Sequence, residues 1–359
     1  MLIYLCLSSH GYGHAARQAA ILSEIHRIKP HWRLIVSSAV NIQFLKIAFK
    51  GIPVEYRRIR WDIGVEQFNA FKLDTDRTLS EMINLDKELP LIIKQEAKWI
   101  QSQKCPSIIL ADIPPSAVDL AEALNVSLIW MGNFGWDEIY ESLGEKFVEH
   151  VIQARERYFR GNLLLRFPFS LPMNWGVNEN SIGLVASNPK KLDEDFTTKV
   201  LSDSRPIVLV GFGGLGFDLD CRLFDKWSDF LFLVPNNFIN RDFYAKRTPN
   251  NIINLPECVR VVDVLPYCTR YICKPGFSTF CEALVYNVGL HVVKRSDFIE
   301  AEALMKGLAL FGKYRILQLE NLVSGEWELD HELIQPRQSL PSTNGSTLAA
   351  NRIINFIEV

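Results

Sequence analysis

An apolar run over residues 2–7 passes directly into Ser8-Ser9-His10-Gly11-Tyr12-Gly13-His14-Ala15-Ala16-Arg17, and then into residues 18–28, where apolar side chains recur at helical spacing. Strand, glycine-rich loop and helix in that order leave few options for the chain. Glycines at 11 and 13 allow positive φ and leave room for a ligand, while the first turn of the next helix aims unpaired amides at that space. Gly11-x-Gly13-x-x-Ala16 also fits a relaxed dinucleotide fingerprint. That use needs an acid about 20 residues on, at the end of the second strand. The second strand, residues 33–36, ends instead in Ser37-Ser38. A nicotinamide cofactor is therefore disfavoured, and the two histidines give the loop polar chemistry. The bland alternative is a tight strand-to-helix turn with incidental histidines.

Strand-like and helix-like segments continue to alternate. After a helical stretch at 41–49 come a strand at 54–57, an aromatic loop with Trp61, Phe68 and Phe71, and a long helical stretch at about 78–101. Residues 107–111 form an apolar strand ending in Asp112, with Pro114-Pro115 and a helix at 116–124 after it. A further strand at 126–131 runs into Gly132-Asn133-Phe134-Gly135-Trp136-Asp137. Such alternation implies a parallel sheet covered by helices, with ligands at the carboxyl ends of its strands. His10, His14, Asp112, Asn133 and Trp136 all fall at such ends. Asp112 has an equally good structural use, as a cap for the next loop or helix.

From about 155 to 205 the pattern loosens, with turn signals at Phe167-Pro168, Leu171-Pro172, 178–180 and 188–191. A domain boundary belongs near 170–190. The alternation then restarts, with a strand at 207–210 leading into Gly211-Phe212-Gly213-Gly214-Leu215-Gly216; the acid expected of a dinucleotide site is again missing. Residues 252–253 and 259–262 read as short strands. The fold class is α/β, with two Rossmann-like domains in tandem.

Composition narrows the function. A chain of 359 residues with net charge −2 and no basic block is a poor nucleic-acid binder. No run approaches the roughly 18 apolar residues of a membrane span, and no cleavable leader is visible, so a cytoplasmic location is expected. Seven cysteines without a Cys-x-x-Cys pair read as reduced thiols, not as a disulfide frame or a zinc site. No metal site and no cofactor are expected.

The second informative stretch is Tyr271-Ile272-Cys273-Lys274-Pro275-Gly276-Phe277-Ser278-Thr279-Phe280-Cys281-Glu282-Ala283-Leu284. A strand ends near Cys273 and a helix starts near Ser278. The Ser278 and Thr279 hydroxyls and first-turn amides suit phosphate oxygens. Glu282, on the same face one turn deeper, suits a diol such as ribose. A capping box with Ser278 or Thr279 as cap and Glu282 reaching back explains the same spacing.

The stretch His10–Arg17 resembles the opening of the glycosyltransferase-like N-terminal domain of plant L-arabinokinases and their stand-alone bacterial relatives. The resemblance continues, in order, through Asp112-Ile113-Pro114-Pro115, Asn133-Phe134-Gly135-Trp136-Asp137-Glu138-Ile139-Tyr140, Gly211-Phe212-Gly213-Gly214, Gly276–Leu284 and Lys294-Arg295-Ser296-Asp297-Phe298-Ile299-Glu300. No kinase half is present. More distantly, the pattern is similar to two-domain GT-B transferases, in which the N-terminal domain holds the acceptor and the C-terminal domain the nucleotide-sugar donor, with a cleft between them. The resemblance implies an acceptor domain at 1–175, a donor domain at 176–338, and a tail at 339–359 whose helix packs back on the first domain.

It also implies site roles. His14 matches the loop histidine that is the general base in several members; His10 is the second candidate, and Asp112 would orient the ring. Ser278, Thr279 and Glu282 match diphosphate and ribose contacts, Gly213 and Gly214 lie where donor phosphates approach, and Glu300 lies near the donor sugar. Lys274, Gly276 and Arg295 are placed with the donor, and Tyr12, Asn133 and Trp136 with the acceptor. The Asp-Gln pair common in plant enzymes is absent, since Asp297 is followed by Phe298. The implied activity is inverting transfer from a nucleotide sugar, by resemblance a UDP-sugar, to an acceptor hydroxyl on a glycan, lipid-linked sugar or small molecule, without an obligatory metal. Two alternatives stay open: a non-catalytic nucleotide-sugar binding module, and an epimerase or hydrolase on the same fold. Peripheral membrane contact through the helical stretches at 78–101 and 139–157 is also open, with ordinary core faces the commoner explanation.

Overall fold

A computed structural model of the protein describes residues 1–214, 217–235 and 249–358. Fifteen strands are described, in chain order β1 Leu2–Leu7, β2 Arg33–Ser37, β3 Val54–Arg57, β4 Gln67–Asn69, β5 Lys72–Leu73, β6 Ser107–Asp112, β7 Leu128–Gly132, β8 Leu163–Arg166, β9 Glu179–Ser181, β10 Ile207–Gly211, β11 Leu231–Pro235, β12 Ile252–Leu255, β13 Arg270–Cys273, β14 Gly289–Val293 and β15 Tyr314–Leu317. The helices are α1 Gly13–Ile28, α2 Ile42–Ala48, α3 Thr75–Ser102, α4 Ala117–Leu124, α5 Trp136–Ser142, α6 Val148–Phe159, α7 Glu194–Leu201, α8 Val261–Val264, α9 Phe277–Val285, α10 Glu300–Phe311, α11 Leu319–Ser324 and α12 Gly345–Glu358.

Every residue of β1 is buried, because helices cover both faces of a central parallel strand. It pairs with β2 on one side and β6 on the other, in a seven-stranded parallel sheet of order β3-β2-β1-β6-β7-β8-β9. A second, six-stranded parallel sheet has the order β12-β11-β10-β13-β14-β15. The two sheets thus repeat one Rossmann-like plan, a fold class already implied by the alternation. In each sheet the direction of winding reverses beside its first strand, between β1 and β6 and between β10 and β13. A crevice opens at such a reversal, outside the carboxyl ends of the strands.

Three links tie the halves together. The hairpin β4–β5 extends from the first half, and Ala70 at its tip is buried in the apolar cluster of the second sheet with Val208, Val210 and Phe212. The Leu73 amide donates to Asp297. Helix α12 returns to α1, where Thr347 donates to Glu24 and Lys29 pairs with Glu358.

Some local expectations fail for physical reasons. The β-branched run 259–262 is not a strand; its second half opens α8, because Asp263 accepts from the Arg260 amide and pairs with its guanidinium to cap a helical turn. The loosely patterned stretch before residue 205 holds β8, β9 and α7. Leu215 and Gly216 of the second glycine-rich loop lie outside the described residues. All seven cysteines are free thiols. Among the described residues, no helix is long and apolar enough to cross a membrane.

Candidate functional site

The loop after β1 places His14 in the first turn of α1, and the last residue of β6 is Asp112. The parallel pairing of Leu7 with Asp112 brings these ends side by side. His14 Nδ1 lies 2.8 Å from Asp112 Oδ1, and its Nε2, on a ring that lines the cavity between the halves, makes no hydrogen bond among the described residues. Asp112 is fully buried and satisfied by three partners. Arg17 donates from Nε to Oδ2 at 2.7 Å and from Nη2 to Oδ1, and Gln18 donates to Oδ2 at 2.7 Å. Burial alone would raise this carboxyl, but the Arg17 charge and hydrogen bonds, with His14, hold it at about 2. Asp112 is therefore an anion at any working pH.

Arg17 sits one turn after His14 on the buried face of α1. Its sequence signal is an arginine at a core-facing position of the helix, beside Ala15 and Ile21, a feature that the glycine-rich loop pattern does not contain.

His10 is placed differently. Its Nδ1 accepts the Val65 N–H at 3.2 Å, which leaves the ring proton on Nε2. That nitrogen lies 3.2 Å from the Gln67 amide nitrogen, while the buried Gln67 Oε1 has no partner among the described residues; turning the amide over lets the oxygen accept the ring proton. Phe298 stacks on the ring at 5.6 Å and Trp136 meets it edge-on at 5.2 Å. Gly64 makes this nest fit, since it has φ +63° and a Cβ there would lie 2.4 Å from His10 Cβ. Burial, and then the charges of His14, Lys274 and Arg295, depress His10 well below the ordinary histidine range. With both nitrogens engaged and the cation disfavoured, His10 shapes the wall and is a poor proton acceptor.

The aromatic loop turns out to supply this second layer. Asp62 accepts from Ser8 Oγ and from the Trp136 indole, pinning the histidine loop from behind. Burial raises the Asp62 carboxyl. Trp136 and Asn133 are fully buried and do not line the cavity; Asn133 bridges Arg17 to Glu300 instead. Tyr12 stacks on Phe44 at 3.6 Å and lies against Gly214, where a Cβ would fall 2.9 Å from its ring.

The second sheet contributes the opposite wall. Helix α9 begins at Phe277 after Gly276, with no side-chain cap. The capping-box alternative fails, because Ser278 Oγ donates 2.8 Å across to the Gly13 carbonyl and Glu282 accepts from no first-turn amide. Among the described residues, Lys274 finds only the Ala70 carbonyl, at 3.5 Å. Burial and the Arg295 charge bring its ammonium down to about 8, against the opposing pull of Glu300 and Asp297. Arg295 donates from Nε to Asp297 at 2.7 Å and lies over Phe298, but its buried Nη2 has no partner among the described residues. Asp297 is thus consumed by Arg295 and the Leu73 amide. Glu282 is buried one turn deeper and does not line the cavity; burial pushes its carboxyl up to about 8, with Arg260 opposing.

Between the walls lies a cavity of about 370 Å³, lined by His10, Tyr12, His14, Gly213, Gly214, Lys274, Gly276, Ser278, Thr279, Arg295 and Glu300 among others. A larger, shallow depression of about 920 Å³ runs along α6, but its arginines 155, 157 and 160 are already paired with Glu141, Asp119 and Glu122. The small interdomain cavity is where unsatisfied groups converge.

No protein-family model matches the chain. It is 22% identical over 329 residues to L-arabinokinase of Arabidopsis thaliana; the match takes in 89% of this chain but only 31% of that curated relative's length. Among solved structures, CalG4, the calicheamicin glycosyltransferase, superposes with a TM-score of 0.63 at 13% identity over 99% of this chain and 98% of that one. A UDP-glucosyltransferase from Polygonum tinctorium capable of glucosylating indoxyl gives 0.63 at 12% identity, covering 100% and 98%. UGT89C1 from Arabidopsis thaliana complexed with quercetin gives 0.59 at 12% identity, covering 99% and 90%. The two sheets and the cleft between them are the GT-B architecture of these glycosyltransferases.

Proposed function

Starting from that GT-B fold, we propose that the protein is an inverting glycosyltransferase that moves a sugar from a nucleoside-diphosphate donor, a UDP-sugar by analogy with its structural neighbours, to an acceptor hydroxyl. The observation that carries the reading is one cavity with two complementary walls. One wall presents an imidazole whose Nδ1 is backed by a carboxylate and whose Nε2 is free; the other presents a helix N-terminus with two under-partnered cations.

Each wall has a task. His14 Nε2 takes the proton from the acceptor hydroxyl as its oxygen attacks the anomeric carbon, and Asp112 orients the ring and stabilises the imidazolium. The bond to the diphosphate oxygen breaks as the new glycosidic bond forms, so a single displacement inverts the anomeric centre. The leaving diphosphate gathers negative charge, met by the amides of Ser278 and Thr279, the Lys274 ammonium and the free Arg295 Nη2. These cations supply the neutralising charge without a metal being required. Glu300 faces the sugar, and Gly213 and Gly214 let the phosphates approach.

In this reading residues 1–175 hold the acceptor, 176–338 hold the donor, and 339–359 close the molecule by returning to α1. A cytoplasmic setting fits seven free thiols. The chain spans 31% of its curated relative, whose sugar-kinase activity is not carried over.

Thermal unfolding of the full chain with a panel of nucleoside diphosphates and UDP-sugars tests the donor site. A ligand at about 100 times its Kd stabilises by roughly 2.7 kcal/mol, a visible rise in midpoint. One base raising the midpoint in the wild type, with the rise reduced in Arg295→Met, is the expected result. No rise with any nucleotide defeats the reading.

A further inference from the structure

Three polar atoms at the base of the cavity lie within hydrogen-bond reach of one another. They are His14 Nδ1, Asp112 Oδ1 and Arg17 Nη2. Nδ1 is 2.8 Å from the carboxylate and 2.9 Å from the guanidinium nitrogen, which itself donates to Asp112. Nδ1 has one in-plane position, so it either carries a proton and donates to Asp112 or carries a lone pair and accepts from Arg17. It cannot do both. In the first case Nε2 keeps the lone pair that faces the cavity. In the second Nε2 carries the proton and the ring cannot act as a base at that atom.

The remaining contacts of Arg17 bear on this choice. Its Nη1 donates to Asn133 Oδ1 at 2.7 Å, and its guanidinium lies beside the stacked pair Phe167 and Phe277, at 5.0 and 5.1 Å from their rings. Asn133 in turn donates from Nδ2 to Glu300 Oε1 at 2.8 Å. That last bond fixes the amide. With Glu300 taking its hydrogens, Asn133 must show its oxygen to Arg17; without Glu300, the Arg17 N–H is all that orients the amide among the described residues, and Asn133 can rotate away and leave Nη1 without its acceptor. Phe277 and Glu300 both belong to the second sheet's half of the molecule, on α9 and at the start of α10. The holder of Arg17 is therefore assembled from both halves.

We infer that Arg17 selects the tautomer of His14, and that Asn133 and Glu300 hold Arg17 in the selecting position only when the two halves are together. With the latch closed, Arg17 is spent on Asp112 and Asn133, the imidazole proton sits on Nδ1 facing Asp112, and Nε2 is a base. With the latch open, Nη1 loses its acceptor, the guanidinium turns toward Nδ1, and the ring proton moves to Nε2. Arg17 and Asn133 are thus positioning residues for the base proposed above. The inference deepens that proposal, tying proton acceptance to closure on the donor side.

The test reads the tautomer directly in the free protein, so it stands apart from transfer activity. The full chain is labelled with ¹⁵N-histidine, and its imidazole nitrogens are observed at about pH 8, where an unperturbed histidine is neutral. His14→Gln assigns the signal by its loss. The wild type is expected to show Nδ1 protonated and Nε2 bare. Asn133→Ala and Glu300→Ala are expected to move the proton to Nε2. Glu300→Gln, whose amide oxygen still accepts from Asn133, is expected to retain the wild-type pattern. If Asn133→Ala does not fold, Glu300→Ala carries the test. A wild type already protonated on Nε2, or Glu300→Ala indistinguishable from wild type, overturns the inference, whether or not the protein binds a nucleotide.

Discussion

The two walls of the cavity are built from the same strand–loop–helix unit and yet differ in how far their polar groups are satisfied. Around α1, Asp112 has partners in His14, Arg17 and Gln18, and His10 is held at both nitrogens. Around α9, the helix start is uncapped, and among the described residues Lys274 reaches one carbonyl at 3.5 Å and a buried nitrogen of Arg295 has no partner. A buried polar group left unpaired costs free energy, so the second wall is in a state that an anion relieves. On the first wall the charged groups are paired, the unpartnered buried atoms being the neutral amide oxygens of Gln18 and Gln67, and that wall holds a geometry ready. One side is preorganised for proton transfer, the other for charge that arrives with a ligand.

The largest effect should come from breaking the satisfied side. Asp112→Ala leaves Arg17 buried without its carboxylate, a situation that typically costs about 3–5 kcal/mol. Urea unfolding should show a loss of that size, along with loss of any transfer activity. A loss under about 1 kcal/mol would mean that Arg17 reaches water or another partner, and that the wall is less closed than its contacts indicate.

A smaller effect is expected on the unsatisfied side, and of a different kind. Lys274→Met should leave stability near wild type or raise it, because it removes a desolvated charge, while weakening UDP binding by about 10–100-fold, the worth of one charged hydrogen bond. The pH dependence has a definite sign. The Lys274 ammonium is depressed to about 8, so raising the pH through that value removes the cation from the free protein, and UDP affinity should fall. A bound diphosphate favours the protonated form and shifts the fall upward in the complex. Calorimetric titration with UDP at several pH values checks this, and Lys274→Met should flatten the profile. A stability loss comparable with that of Asp112→Ala would erase the contrast between the walls.

How much of this could be read from sequence depends on which interactions are local. The alternation of apolar runs exposed both sheets, since period and burial are written along the chain. The loops after β1, β6 and β13 announced themselves by glycine, histidine and acid at strand ends, and the fold brings His14 and Asp112 together by register alone. The Ser278 and Glu282 spacing was ambiguous, because helix position does not tell whether a hydroxyl caps its own helix or reaches another domain. Arg17, Asp62, Gly64 and Gln67 stayed hidden for a related reason. Their meaning lies in hydrogen-bond partners as much as 116 residues away in sequence, as Arg17 is from Asn133, and neither periodicity nor turn chemistry records such a pairing. The aromatic loop splits likewise, with Trp61 buried and Phe68 exposed.

The smallest effect belongs to the residue shared by both walls. Ser278 sits in the first turn of α9, where an anion is expected, but its hydroxyl donates to the carbonyl of Gly13, the first residue of α1. If that bond is its main task, Ser278→Ala removes one ordinary hydrogen bond between the halves, a loss of about 1 kcal/mol in stability. UDP affinity should then change by less than about threefold, because the α9 amides and the two cations remain. An affinity loss matching that of Lys274→Met would place the hydroxyl on the ligand instead, and the Gly13 bond would be a resting contact exchanged for phosphate on binding. Measuring both quantities on one variant therefore decides to which wall Ser278 belongs.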